Sequence, residues 1–280
     1  MRILSLGAGV QSTTLLLMSC RGDLPKLDAA IFADTQWESV RVYEHLAWLE
    51  GIAADAGIAV HRVTAGNLRA DYLAGAVGGG RSGGADRRFA SMPVFTKDPD
   101  AAPDDEGGFV PRQCTREYKL DPIRQKVREL CAVGPGQRVP ATVHVEQWIG
   151  ISTDELRRLR ISADRWITHR YPLVFDCNPP MSRSRCIAWL REHYPDRTVP
   201  RSACIGCPFH SNAEWRAIRT NAEEWADAIS FDAAIRHQNG LRSEAYLHRS
   251  CTPLAEADLK EPDPAQGSLW SNECLGMCGV

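Results

Sequence analysis

Apolar and polar positions change period several times along the chain, and the changes lay out an α/β protein. Arg2 to Leu6 is an apolar run of strand length. It ends at Gly7-Ala8-Gly9-Val10-Gln11-Ser12, after which Thr13 to Cys20 reads as an apolar helix. Ala29 to Ala33 predicts a second strand that stops at Asp34-Thr35. Val40 to Ala56 sets Val42, Leu46 and Leu49 on one helical face, and Ile58 to Val63 predicts a third strand. Strands alternating with helices predict βαβ units and a mainly parallel, doubly wound sheet that takes ligands at the carboxyl ends of its strands.

Residues 74 to 111 break the pattern with Gly78-Gly79-Gly80, Gly83-Gly84 and a stretch from Asp98 to Gly108 rich in Asp, Pro and Gly. A segment this long without periodicity predicts either a mobile lid or a plain surface loop, and Arg81, Arg87 and Arg88 would suit a lid over an anion. Order returns with a helix at about 115 to 131 and a buried strand, Thr142 to Ile149, ending in Gly150-Ile151-Ser152-Thr153-Asp154-Glu155. Helices are expected at 183–193, 211–219 and 222–236, then a polar tail. The expected organisation is a nucleotide-binding α/β domain over 1–175 and a helical, metal-binding region with a flexible tail over 176–280.

Composition narrows the class. The chain has 280 residues, 44% of them hydrophobic and 24% charged, which is ordinary for a globular protein. No stretch approaches the roughly 20 apolar residues needed to cross a bilayer, and Met1 leads straight into a strand pattern, so a cytoplasmic protein without membrane association is expected. Ten cysteines in a reducing compartment favour metal or redox chemistry over a disulfide framework. The net charge of -2 gives no general attraction to a polyanion. Residues 151 to 201, however, hold ten Arg against six Asp plus Glu, so one face could meet a nucleic acid.

Two sequence features carry chemistry. In Ser5-Leu6-Gly7-Ala8-Gly9-Val10-Gln11-Ser12-Thr13, small residues let main-chain amides approach a phosphate at a helix start, where Ser12 and Thr13 could add hydroxyl bonds. Asp34 could take a ribose or adenine edge, or cap the next helix. The second feature is Cys204-Ile205-Gly206-Cys207, followed by Pro208-Phe209-His210. Two thiolates so spaced can hold one metal from a single turn, but they are half a site. Cys114 and Cys186 are the best-placed partners, whereas Cys20 and Cys131 lie in apolar runs and read as core thiols.

These residues resemble a known family. Gly7-Ala8-Gly9-Val10-Gln11-Ser12 resembles the PP-loop of the adenine nucleotide alpha hydrolase superfamily, usually Ser-Gly-Gly-x-Asp-Ser, and Asp34-Thr35 is similar to the Asp-Thr after its second strand. Cys114-Thr115-Arg116-Glu117-Tyr118-Lys119-Leu120-Asp121-Pro122-Ile123 resembles the Cys-(Thr)-x-x-x-Lys-x-x-Pro-(Ile/Leu) segment of the phosphoadenylylsulfate (PAPS) reductase family, including its DNA-phosphorothioation branch. Gly150 to Glu155 is similar to that family's Gly-Ile-Arg-x-x-Glu turn. Gln11 stands where ATP-cleaving members carry Asp, and is more like the sulfonucleotide reductases. The iron-sulfur reductases have two adjacent cysteines where this chain has only Cys114. Near the end, Glu273-Cys274-Leu275-Gly276 resembles the reductases' Glu-Cys-Gly tail.

The resemblance implies an enzyme that binds ATP or another adenine nucleotide over Ser5, Gly7, Ala8, Gly9, Gln11, Ser12, Thr13, Asp34 and Gly150. Its sulfur chemistry would run beside a [4Fe-4S] cluster on Cys114, Cys186, Cys204 and Cys207, with zinc on the same thiolates, or with His210 in place of one, as the alternative. Cys274 would be the nucleophile and Cys278 its resolving partner. Arg116 and Lys119, a helical turn apart, would neutralise phosphate or sulfate, with help from Arg157, Arg158 and Arg160. Reduction of a sulfonucleotide, served by a thiol reductant protein, and sulfur transfer to a nucleic acid or small-molecule acceptor both remain open, as does a homodimer. The competing class is a non-catalytic, nucleotide-responsive iron-sulfur or zinc protein that binds nucleic acid or another protein.

Overall fold

In chain order, the first half of the computed structural model contains β1 (Arg2–Ser5), α1 (Val10–Arg21), β2 (Ala29–Ala33), α2 (Val40–Asp55), β3 (Ala59–Val63), α3 (Leu68–Gly78), β4 (Val94–Lys97), β5 (Gly108–Val110) and α4 (Asp121–Leu130). The second half adds β6 (Val145–Ile149), β7 (Ile167–Arg170), α5 (Pro172–Phe175), α6 (Arg183–His193), α7 (Asn212–Arg219), α8 (Ala222–Ala234) and β8 (Glu244–Tyr246). The structure describes residues 1–78, 92–100, 107–110, 113–238 and 241–260. Cys274 and Cys278, and the lid arginines Arg81, Arg87 and Arg88, lie outside the described residues.

The fold is α/β. Five parallel strands pair in the order β3-β2-β1-β6-β7, flanked by helices. Alternation within the strands assigns the two faces. Leu4, Ala30 and Phe32 point to a core shared with α1, α2 and α6, while Ile3, Ala29 and Ile31 meet Ile123 and Val127 of α4 on the other side. Helix α1 is buried on nearly every side because the sheet, α2 and α6 surround it, which is why its sequence is apolar rather than striped. It ends where Gly22 takes a left-handed conformation (φ 86°) and returns its N–H to Met18 and Ser19 carbonyls.

A second core gathers Trp37, Leu68, Tyr72, Tyr118, Trp215 and Phe231, capped by the antiparallel sheet β5-β4-β8. This corrects the expectation of a patternless loop over 74–111. The segment contains β4 and β5, which pair with each other and with β8. Strands of three or four residues show too few alternations to stand out from Gly- and Pro-rich surroundings, and β8, the other partner of β4, lies far along the chain. The helix expected at 115 begins instead as a π-helical turn, Arg116–Leu120, before α4. Helix α6 packs on α1 and α7 packs on α8, so the helices beyond residue 176 are divided between the two cores.

Three histidines are enclosed in these cores. His45 bonds Thr13 Oγ1 at 2.9 Å, His248 bonds Asn212 Oδ1 and Ser250 Oγ, and His210 bonds the Cys204 carbonyl at 2.9 Å. Burial first, and Arg197, Arg249 and Arg201 second, hold their pKa values down to about 4, about 4 and about 3. Unfolding exposes imidazoles that titrate near 6.5, so the unfolded chain binds more protons as acid is added. Stability should therefore be full above pH 6.5 and fall as pH drops toward 4, with each histidine adding a slope of about 1.4 kcal/mol per pH unit. Urea unfolding at pH 7.5 and pH 5 checks this; equal stabilities at the two values would contradict neutral, buried imidazoles.

Candidate functional site

The strand order creates a crevice. β1 pairs with β2 on one side and β6 on the other, so connections leave its carboxyl end in opposite directions. The turn from β1 to α1 and the turn after β6 meet there, and Gly150 is the point of contact. A Cβ at Gly150 would lie 2.9 Å from the Ser12 nitrogen and 3.2 Å from its Cα, so only glycine lets the two backbones close. Within the first turn Ala8 adopts φ 55°, and Gly9 follows in an extended conformation as the N-cap of α1. This αL-then-β backbone leads into the first turn of α1, whose amides at Val10, Gln11 and Ser12 have no carbonyl four residues back within the helix. The first turn of α1 itself carries no acidic residue and no side-chain cap.

The side chains expected around this turn divide by role. Ser12 Oγ accepts from the Gly7 N–H at 3.2 Å and donates to the Gly9 carbonyl at 3.3 Å, bracing the loop from inside. Gln11 donates to Glu155 at 3.1 Å, and Glu155 in turn pairs with Arg158, which brings the Gly150–Glu155 segment to the loop. Burial raises the Glu155 carboxyl above its ordinary range, against the opposing pull of Arg158. Two expectations need correction. Ser5 Oγ accepts from Gln147 at 2.7 Å within the sheet, and Thr13 Oγ1 is spent on His45; both hydroxyls point into the fold and not into the crevice. Asp34 accepts from the Gln36 amide and the Tyr43 hydroxyl, so it shapes the entry to α2.

Beyond the crevice, residues 204–207 form a tight turn with the Cys207 N–H on the Cys204 carbonyl at 3.0 Å. The turn is pinned by the Ile205 N–H on the Trp37 carbonyl and by an isolated β-bridge between Glu38 and Cys204. A Cβ on Gly206 would come within 2.1 Å of the Trp37 ring, so this glycine is required by packing. A cavity of about 20 Å³ lies against the turn, lined by Thr35, Cys114, Lys119, Cys204, Cys207 and Phe209 among others. Cys204 Sγ sits 3.2 Å from Thr35 Oγ1 and 3.7 Å from Glu38 Oε1, and Lys119 Nζ donates to the same Glu38 oxygen at 3.3 Å. The Glu38 side chain is wholly buried and that of Lys119 nearly so.

Arg116 and Lys119 do not act as a pair. Arg116 is 82% exposed and lies 4.0 Å from Asp121, whereas Lys119 turns inward. The π-helical winding explains the split, since with bonds spanning five residues a separation of three falls well short of one turn. Arg160 folds back on the carbonyls of Arg157 and Leu159. Sequence reasoning missed Glu38 and Ser202. For Glu38, the signal was a carboxylate four residues after Asp34 in a segment otherwise read as a strand end. Ser202 sits two residues before Cys204 with no pattern to mark it.

The metal assignment does not survive intact. Cys114, Cys204 and Cys207 line one cavity, but Cys186 is fully buried in the other core, on α6 against Thr14 of α1. Burial pushes its thiol up to about 12, as for a core cysteine. A cysteine on the inward face of an amphipathic helix is a core residue first, and the local sequence does not reveal that face. Among the described residues no group of three His, Cys, Asp or Glu side chains is gathered closely enough to hold a metal ion. The cavity has room for about one water rather than a cluster. The described residues as arranged do not fit a four-thiolate [4Fe-4S] or zinc centre. Cys20 and Cys131 pack against the cores, as their apolar contexts predicted.

Compared with known protein families and with curated proteins, the chain matches none.

The buried pair gives a direct prediction. Lys119→Met strands the Glu38 carboxylate in the core and should cost about 3–5 kcal/mol, whereas combining it with Glu38→Gln should recover much of that loss. Denaturant unfolding of the single and double variants checks this. A double variant less stable than the single would mean that the ion pair is not the interaction that matters here.

Proposed function

We propose that this chain is a PAPS reductase-like enzyme of the PP-loop class. It binds an adenine nucleotide with its phosphates on the Gly7–Ser12 turn and carries out sulfur chemistry on the nucleotide-linked group beside the cysteine turn. What supports this above all is adjacency. Cβ atoms at Gly7 and Gly9 would lie 3.7 and 3.5 Å from the Ser202 side chain, two residues before Cys204, so the phosphate-receiving turn and the thiols are neighbours. The order of motifs noted in the sequence supports the family, and the free first-turn amides of α1 support an anionic ligand.

In the proposed reaction the α1 amides hold and orient the phosphates, and the closed contact of Gly150 with Ser12 fixes the crevice width. Cys274, outside the described residues, is the proposed nucleophile. In a reduction its thiolate attacks the sulfur of a nucleotide-bound sulfonate, the S–O bond to the nucleotide phosphate breaks, and an external dithiol then releases sulfite while becoming a disulfide. Transfer of sulfur to a nucleic acid or small metabolite is the alternative outcome at the same site. No step of the proposed chemistry runs through a metal centre.

Two variants test this. Gly9→Val thrusts a branched side chain against Ser202 at the mouth of the turn and should abolish nucleotide binding while leaving the far-ultraviolet circular dichroism spectrum unchanged. Affinities for ATP, AMP and PAPS equal to those of the unaltered chain would refute the assignment. Ending the chain after Asn272 should remove sulfonucleotide turnover but leave nucleotide binding intact. Undiminished turnover would transfer the chemistry from Cys274 to the cysteine turn.

A further inference from the structure

The Ser202 side chain carries an unmet hydrogen bond. Its Oγ is shut off from solvent, yet it has no hydrogen-bond partner among the described residues. Buried hydroxyls are almost always partnered, so an orphan next to a functional turn calls for a ligand. Ser202 Oγ lies 3.7 Å from the position a Gly7 Cβ would occupy, and Ser202 Cβ lies 3.5 Å from that of Gly9. The hydroxyl therefore packs against the Gly7–Gly9 turn, beside the αL residue Ala8 and the N-terminus of α1. The hydroxyls of the loop itself are already committed, Ser12 to Gly7 and Gly9, and Thr13 to His45.

We propose that Ser202 is a phosphate ligand: a nucleotide phosphate enters between residues 8–12 and residue 202, takes amide hydrogen bonds from the first wall and the Ser202 hydroxyl from the second. This deepens the nucleotide-binding function proposed above and rests on it. It also makes the phosphate a strut between the loop and the thiols. Ser202 is two residues from Cys204, whose backbone is bridged to Glu38 and whose neighbour Ile205 is tied to Trp37. Movement of residue 202 to admit a phosphate is transmitted along a short, pinned segment to the cysteine turn. Phosphate binding thereby sets the exposure of Cys207, the half-buried member of the pair. Adenosine, which lacks phosphate, has no means of exerting this effect.

The test uses the full chain with ATP, AMP and adenosine as probes, and compares Ser202→Ala, Ser202→Thr and Gly9→Val by calorimetric titration. A lost hydrogen bond to a charged oxygen should weaken ATP and AMP binding by about tenfold in Ser202→Ala, leave adenosine binding unchanged, and be largely restored in Ser202→Thr. In parallel, ATP should change the rate at which iodoacetamide alkylates Cys207 in the unaltered chain, and this change should disappear in Ser202→Ala. ATP affinity unaltered in Ser202→Ala, while Gly9→Val abolishes it, would overturn the role of Ser202 and leave the nucleotide site standing. Equal ATP affinity in all three variants would overturn the nucleotide site itself. A loss in Ser202→Ala that is the same for adenosine as for ATP would also overturn the proposal, because a packing defect has no preference for phosphate.

Discussion

The site depends on a buried carboxylate. Glu38 lies with its side chain fully enclosed between Thr35, Lys119 and Cys204, and each of these belongs to a different part of the chain. A charge in that position is tolerable only because Lys119 and the Thr35 hydroxyl meet it, and it holds its partners in turn. The segment from Asp34 to Val40 extends this role through its backbone and neighbouring side chains. Trp37 Nε1 donates to Asp227 at 2.6 Å, the Val40 amide to Glu224 at 2.7 Å, and the Leu68 amide to the Thr35 carbonyl at 3.0 Å. One short connection after β2 thus binds the parallel sheet to α8, α3, the π-helical turn and the cysteine turn.

From that hub follows the proximity of the Gly7–Ser12 turn and the cysteine turn. The parallel sheet places the N-terminus of α1 at its switch point, as strand order requires, and this alone would describe many α/β proteins. What distinguishes this chain is that residues 201–207 are drawn across the same edge by the bridge to Glu38 and by the packing of Trp37 on Gly206. The cysteine turn then lies near the Gly7–Ser12 turn, and Ser202 packs between them.

Burial assigns different chemistry to cysteines that look alike on paper. Cys186 is placed by α6 in an apolar core where its thiol stays protonated, while Cys204 touches Thr35 and Glu38, and Cys207 is half-buried beside a small cavity. The same principle separates Arg116 from Lys119. One lies in solvent and the other in the core because a π-helical turn rotates them apart.

The sequence by itself determined the parallel α/β architecture, because each of its main elements announces itself through local periodicity: apolar runs at Arg2 to Leu6 and Ala29 to Ala33, and a striped helix from Val40. It determined the small-residue turn between β1 and α1 as well, since such residues between a strand and a helix have a local backbone meaning. Only the tertiary structure decided what local pattern does not encode. The pairing of β4 and β5 with β8, the burial of Cys186 away from Cys204, the inward turn of Lys119 and the position of Ser202 over Gly9 all depend on contacts between residues far apart in sequence. A motif specifies which atoms a segment can offer, and the packing of distant segments fixes which of those atoms face one another.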